Sequence, residues 1–167
     1  MNTTLFRQHS GFTLIELMIT ITVLSIILFM GSSLTRSWID RSQVNNAINS
    51  LKSSLTQAKT AAIRNTDNQA MTQPAVSVCV TDNEILIIRN KNNDAANCSL
   101  TNTNNTLLKK SELAKNISIK QDNSSFNCIA FNSVGMVTQV IGTNCSTNSN
   151  FSFVVEKNNE IANFTLL

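Results

Sequence analysis

The chain has 167 residues and a formal net charge of +3, a length that corresponds to about one ordinary domain. Charged residues make up only 14% of it, below the roughly 25% of a typical soluble domain, and the small net charge alone indicates neither a nucleic-acid nor a membrane-surface partner. The single histidine is His9, which argues against histidine-dependent catalysis and a histidine-ligated metal.

The apolar residues concentrate near the amino terminus, in a run from Phe12 to Met30 that contains one charged residue, Glu16. At about 1.5 Å per residue, about twenty helical residues span roughly 30 Å, the thickness of the hydrocarbon layer of a bilayer. The run therefore predicts a membrane-spanning helix over residues 12–31. An ionisable side chain inside such a helix is costly and marks a functional site.

A GFTLIEL motif begins at Gly11 and follows a short polar leader. This segment resembles the class III signal of type IV pilins and of type II secretion pseudopilins. The resemblance implies that residues 1–11 are a leader peptide, and that a prepilin peptidase cuts between Gly11 and Phe12 and methylates the new amino terminus of Phe12. It also implies that residues 12–31 stay in the inner membrane, as a single-pass anchor with the head in the periplasm, until the subunit enters a filament.

The same resemblance gives Glu16 a role in assembly. A carboxylate in an apolar medium is tolerated mainly when it is paired or neutralised, and the nearest obvious cation is the amino group of Phe12. In a filament, the amine of one subunit would face Glu16 of its neighbour, and wrong axial registers would be penalised because they leave a charge unpaired. The alternative is a protonated carboxyl group within a plain membrane anchor.

Beyond the apolar run, apolar residues recur at helical spacing and predict an amphipathic continuation over residues 32–65. The stripe consists of Val44, Ile48, Leu51, Leu55, Ala58 and Ala62. We expect one helix from Phe12 to about Asn65, about 80 Å long if unbroken, whose second half needs a sheet to cover the stripe. The alternative is an independent coiled coil.

From Ala75 the pattern changes to short runs rich in β-branched residues, without intervening helices, which predicts a largely antiparallel meander within residues 66–167. The predicted strands are Ala75–Thr81, Glu84–Arg89, Ile117–Gln121, Phe126–Asn132, Met136–Ile141, Phe151–Glu156 and Ile161–Leu166. Lys91–Asn105 is interpreted as a polar loop. The fold class is thus α+β, and it resembles the ladle fold of type IV pilins: a long amino-terminal helix, transmembrane in its first half, packed on an antiparallel β-sheet head.

Two further segments resemble those of the GspH/FimT family. The helix segment Leu51–Asn65 is similar to the family's LxxxLxxARxEAIxRN pattern, although Lys59 stands where arginine is usual and Thr60–Ala61 replaces the acidic position. Phe131 and Gly135, within a predicted strand pair, resemble the family's FxxxG turn. Together with the leader, these segments cover most of the chain and indicate a FimT- or FimU-like minor pilin.

Four cysteines follow the apolar run: Cys79, Cys98, Cys128 and Cys145. Disulfides are permitted in a periplasmic domain, and four cysteines allow three connectivities. We favour the sequential pairing, Cys79 with Cys98 and Cys128 with Cys145, in which each bridge is worth roughly 3 kcal/mol in the chain-entropy model. A zinc site is not expected, because no CxxC spacing occurs.

The charge distribution bears on DNA binding. Residues 66–167 carry seven basic and eight acidic side chains, a net charge of −1, whereas residues 32–65 carry five basic and one acidic, a net charge of +4. Phosphate binding needs clustered cations, and the only small patch within reach consists of Lys109, Lys110, Lys115 and Lys120. The glycine-arginine stretch of DNA-binding FimT-like pilins is missing from the carboxyl terminus, Asn158–Leu167.

The sequence therefore predicts a minor pilin that initiates or caps a type IV pilus, with a role in twitching motility or natural transformation. Its expected partners are prepilin peptidase, other minor pilins, the major pilin and inner-membrane lipid. Because the acidic residues are scattered and no glycine-rich phosphate loop occurs, we expect no enzymatic activity, cofactor or metal. Two alternatives stay open: a minor pilin that binds DNA for uptake, and a minor pseudopilin of a type II secretion system.

Overall fold

The computed structural model describes residues 12–81, 83–91, 98, 100, 105–139, 145–149 and 151–165. The chain separates into two compact units, Met1–Trp38 and Ile39–Leu167. The elements are α1 (Leu14–Arg64), β1 (Pro74–Thr81), β2 (Glu84–Asn90), β3 (Asn105–Glu112), β4 (Ser118–Gln121), β5 (Ser124–Ser125), β6 (Cys128–Asn132), β7 (Cys145–Ser146), β8 (Ser152–Lys157) and β9 (Glu160–Thr165).

Helix α1 lies within two residues of its predicted bounds, and its second half buries the predicted apolar stripe. Every residue of that stripe is at most 8% exposed, and Leu51 is fully buried. The helix ends where Asn65 adopts a left-handed conformation with a φ of 42°, which asparagine tolerates at a helix carboxyl terminus. The side chain of Asn65 then donates a hydrogen bond to the carbonyl of Gln69 and accepts one from its N–H.

The strands form two sheets. The first has the order β3-β2-β1-β6-β7 and the second the order β5-β4-β8-β9. The described pairings are antiparallel except that of β6 with β7, which is parallel. The α+β class, with a helix packed on an antiparallel-rich head, is therefore confirmed. The strands do not follow a simple meander order. The reason is that β1 is a central strand, which pairs with both the adjacent β2 and the distant β6.

The five-stranded sheet is buried on both faces at its centre. Side chains of β1, β2 and β6 that alternate toward α1 join the helix stripe in the main core; they include Val76, Val78, Ile85, Ile87, Ile129 and Phe131. Those on the opposite face form a second cluster, which contains Leu86, Ile88, Ala130 and the cysteines of the strands. This two-sided burial explains the nearly continuous apolar sequence of these strands.

Two predictions about the strands are wrong. Asn105–Glu112 forms β3, although the sequence placed Asn105 in a loop and left the rest unassigned. None of its residues is buried, so backbone pairing with β2 rather than apolar alternation forms this edge strand. Met136–Ile141 is not a strand where it is described: Val137 makes a single bridge to Phe131, because Asn132 holds the preceding residues in a turn. Residues 140 and 141 lie outside the described residues.

Candidate functional site

The amino-terminal end of α1 carries the predicted processing and assembly residues. Gly11 lies outside the described residues, so only Phe12 of the predicted cleavage junction is described. Thr13 caps the helix: its hydroxyl oxygen accepts a hydrogen bond from the N–H of Glu16 at 3.4 Å, and its carbonyl oxygen accepts from Glu16 and Leu17. Thr-x-x-Glu is a sequence signature of a helix start, a signal that the sequence interpretation did not use.

Glu16 lies in the first turn of α1 and is exposed. A carboxylate in this position interacts favourably with the positive end of the helix dipole. Within the part of the chain that the structure describes, Glu16 forms no ion pair.

The first part of α1 exposes apolar side chains and few free polar groups. Its large apolar side chains between Phe12 and Phe29 are each at least 50% exposed. The hydroxyl of Thr20 donates to the carbonyl of Leu17 at 2.9 Å, and that of Ser25 donates to the carbonyl of Ile21 at 2.8 Å. Because such internal bonds satisfy the hydroxyls, this helical surface is compatible with an apolar environment.

Among the described residues, no helix combines the length and the apolar character that crossing a membrane requires. The transmembrane assignment of residues 12–31 and the proposed boundaries after residues 11, 31 and 65 stay predictions. The two compact units divide after Trp38.

The four cysteines lie together on the face of the five-stranded sheet opposite α1. Disulfides join Cys79 to Cys98 and Cys128 to Cys145, with Cα–Cα distances of 5.7 and 4.4 Å. Cys79 and Cys128 are also register partners on β1 and β6, and Cys128 and Cys145 are register partners on β6 and β7. The bridges therefore tie the short strand β7 and the segment around Cys98 to the two central strands.

Two of the lysines predicted as possible DNA contacts are paired with carboxylates. The Nζ atom of Lys110 lies 2.5 Å from Glu84, and that of Lys120 lies 2.7 Å from Glu156. The hydrogen bond to Glu84 raises the pKa of Lys110 above its usual value, against the opposing effect of desolvation and with added attraction from Glu84 and Glu112. These two ammonium groups are neutralised locally.

The other two predicted lysines lie on and directly after β3. Lys109 and Lys110 are consecutive residues of β3, so their side chains point to opposite faces of the strand. Lys115 is exposed in the turn that follows β3. A DNA contact at these four lysines stays a prediction.

The FxxxG segment connects the head to α1. Phe131 is 1% exposed in the main core, whereas Gly135 has a φ of 77°, which favours glycine. A Cβ atom placed on Gly135 would lie 3.0 Å from Cδ1 of Ile63 and 3.3 Å from Cγ of Lys59. The motif thus has two parts, one on each side of a single turn. Phe131 is buried in the core, and Gly135 allows the backbone to lie close to the helix.

Metal-binding clusters and cavities are the remaining candidate sites in the described part of the chain. No group of three or more histidine, cysteine, aspartate or glutamate side chains there could hold a metal ion. An open cavity of about 220 Å³ lies between the end of β1 and strands β4 and β5, and the side chains that line it are not titratable.

Two family models match the chain. Residues 6–32 match the prokaryotic N-terminal methylation motif, which implies processing by prepilin peptidase and assembly with other pilins or pseudopilins. Residues 47–165, including the second half of α1 and all nine described strands, match the type II transport protein GspH. No curated protein and no solved structure matches the chain. Because the second model covers most of the sequence, the chain belongs to the GspH family of pilin-like proteins.

Proposed function

We propose that this protein is a minor pilin that initiates or caps a type IV pilus. Residues 12–31 hold it in the inner membrane, with its head in the periplasm, until it enters the filament. The GspH family is structural rather than catalytic, and the proposal gives the chain no enzymatic activity, cofactor or metal. The observation that carries the proposal is the exposed apolar surface of α1 between Phe12 and Phe29, directly within a methylation motif.

An apolar surface of this kind needs a partner that the chain itself does not supply. A helix that is hydrophobic all round is buried, either in lipid or among other helices. The internally bonded hydroxyls of Thr20 and Ser25 suit both environments. We therefore assign this segment to lipid before assembly and to the helices of neighbouring subunits afterwards.

Glu16 supports the assembled state, in which this segment packs among the helices of neighbouring subunits. The cap formed by Thr13 places Glu16 in the first turn of α1, one turn from the amine that cleavage before Phe12 would create. In an apolar environment an unpaired carboxylate is strongly unfavourable, so a neighbour's amine at this level selects one axial register. Glu16 is then a positioning residue for assembly rather than a source of stability within the subunit.

The proposal is tested by processing and assembly in a host that contains prepilin peptidase and the pilus machinery. Intact-mass analysis should show loss of residues 1–11 and addition of one methyl group to Phe12. Glu16→Ala should leave the head folded and the chain membrane-associated, but should reduce pilus number and co-purification with other pilins. Glu112→Ala, which removes an exposed carboxylate from β3, is the matched control and should assemble normally. Retention of Met1, or normal piliation of Glu16→Ala, would contradict the proposal.

A second candidate is a minor pseudopilin of a type II secretion system, because the family model that covers the head is that of a type II transport protein. Both systems use the same signal and the same arrangement of helix and head. The two candidates differ in the subunits that co-purify with the wild-type chain and in the phenotype of its deletion. Loss of pili with normal secretion supports the pilus assignment, whereas loss of secretion with normal pili supports the pseudopilus.

A further inference from the structure

An exposed apolar surface surrounds the turn that follows β6. It consists of Ile63, Met71, Val134 and Met136, whose side chains are 55%, 68%, 44% and 63% exposed. The turn lies directly against the helix at Gly135, because a Cβ atom placed there would lie 3.0 Å from the side chain of Ile63. We call this surface the turn patch.

The buried side chain of Asn132 holds the turn patch in place. Its Oδ1 atom accepts hydrogen bonds from the N–H of Val134 at 3.2 Å and of Met136 at 2.9 Å. Its Nδ2 atom donates to the carbonyl oxygen of Met71 at 2.9 Å. One amide group therefore fixes the backbone of three of the four patch residues. Such preorganisation lowers the entropy lost on binding, while the flexible methionine side chains can adapt to a partner's shape.

The rim of the turn patch is basic. The Cγ atom of Lys59 lies 3.3 Å from the Cβ position of Gly135. Arg64 is an exposed residue of the last turn of α1, directly after Ile63 in the sequence. Neither cation forms an ion pair within the described residues. The first acidic residue after the helix, Asp67, is already paired with Arg89 at 2.9 Å. The surface thus combines exposed apolar groups with two positive charges that have no acidic partner.

We propose that the turn patch docks an apolar segment flanked by carboxylates on another pilin-like subunit of the same assembly; this inference rests on the proposed function. The apolar side chains of that segment cover the patch, and its carboxylates pair with Lys59 and Arg64. Contiguous exposed apolar patches mark interaction sites, and charge complementarity at the rim directs the choice of partner and the orientation.

The experiment places a photo-crosslinking amino acid at Met136 of the full-length chain in cells that assemble the filament. The matched control carries the same amino acid at Ile161, an apolar residue of β9 with the same exposure, 63%. We expect an adduct from position 136, and not from position 161, to a co-assembling pilin-like subunit. The cross-linked peptide should contain apolar residues next to aspartate or glutamate.

A charge reversal then tests the rim. Lys59→Glu combined with Arg64→Glu should lower the yield of the Met136 adduct about tenfold, the effect of roughly 1.4 kcal/mol. Reversing the carboxylates of the cross-linked partner segment to lysine should restore the yield. Because both substitutions are at exposed positions, the head should stay folded, and protease resistance checks this.

Several outcomes overturn the inference. These are adducts only to a second copy of this chain, adducts only to lipid, or the absence of an adduct while co-purification with pilins still depends on Glu16. An unchanged adduct yield in the charge-reversed chain also contradicts it. Failure of the wild-type chain to co-purify with any pilin or pseudopilin instead overturns the proposed function itself, so the two failures are distinguishable.

Discussion

Helix α1 contains two regions whose apolar side chains have opposite environments. Between Phe12 and Phe29 its large apolar side chains are at least 50% exposed, whereas the stripe that begins at Val44 is at most 8% exposed. In the first region apolar residues cover every side of the helix; in the second they occupy one face, which the sheets of the head cover. The comparison separates two uses of apolar residues in one helix. In the second region they form part of the core of the head, whereas in the first region they remain exposed, as a surface for association requires.

The largest effect on head stability should come from removing a stripe residue. Leu51 is fully buried, so Leu51→Ala should lower the free energy of unfolding of the head by about 2–5 kcal/mol through lost burial and a residual cavity. The matched change Leu24→Ala removes the same atoms from a side chain that is 58% exposed, and should change that free energy by less than about 0.5 kcal/mol. Pulse proteolysis in urea measures both; equal losses would contradict the division of the helix.

The disulfides should contribute the next largest effect. Replacing Cys128 and Cys145 together by serine opens a loop with a sequence separation of 17 residues, which should lower the unfolding free energy by about 3 kcal/mol in the chain-entropy model. The exported wild-type head should show no reactive thiol when labelled under denaturing, non-reducing conditions. Two or more labelled thiols would mean that at least one bridge is absent, and peptide mapping tests the pairing directly.

A smaller effect on the free energy of unfolding is expected at the turn that follows β6 and lies against α1. Gly135→Ala introduces a Cβ atom at a φ of 77° and at 3.0 Å from Ile63, which should cost about 1–2 kcal/mol. Combining Gly135→Ala with Ile63→Ala removes the two contacts at 3.0 Å and leaves the backbone strain and the wider contact with Lys59 at 3.3 Å, so the two changes should be non-additive. Ser133→Ala, in the same turn, is the control. Strict additivity would show that the helix does not contact the turn.

The predictions made from sequence succeeded where one physical pattern dominated. The stripe from Val44 to Ala62 and the α+β class followed from a helical period and then a change to β-branched runs. β3 was missed because its sequence, with Leu107, Leu108 and two lysines in succession, has no alternation: it is an edge strand that depends on backbone pairing with β2. The predicted processing and assembly residues at the amino terminus came from a short motif. The turn patch instead depends on contacts between Gly135, Asn132 and segments that are distant in sequence.

The smallest effect is expected for DNA binding, the remaining alternative function. The head carries a net charge of −1 over residues 66–167, and Lys110 and Lys120 are already paired with Glu84 and Glu156. The raised pKa of Lys110 means that its positive charge is fully present below the usual lysine pKa and is lost only as the pH rises through the raised value. At neutral pH the pair is therefore intact. Lys110→Ala and Lys120→Ala should each change DNA retardation by less than about twofold.

Glu84→Gln is the complementary variant, because it releases the Lys110 ammonium group without removing it. This variant should retard DNA slightly more than the wild-type chain at about 50 mM salt, and the gain should disappear by about 200 mM, since a few phosphate contacts release only a few counterions. Gel-shift titration of the detergent-solubilised chain over this range measures both quantities. Tight, salt-resistant retardation by the wild-type chain that falls on substitution of Lys109 or Lys115 would contradict the assembly role and favour DNA capture.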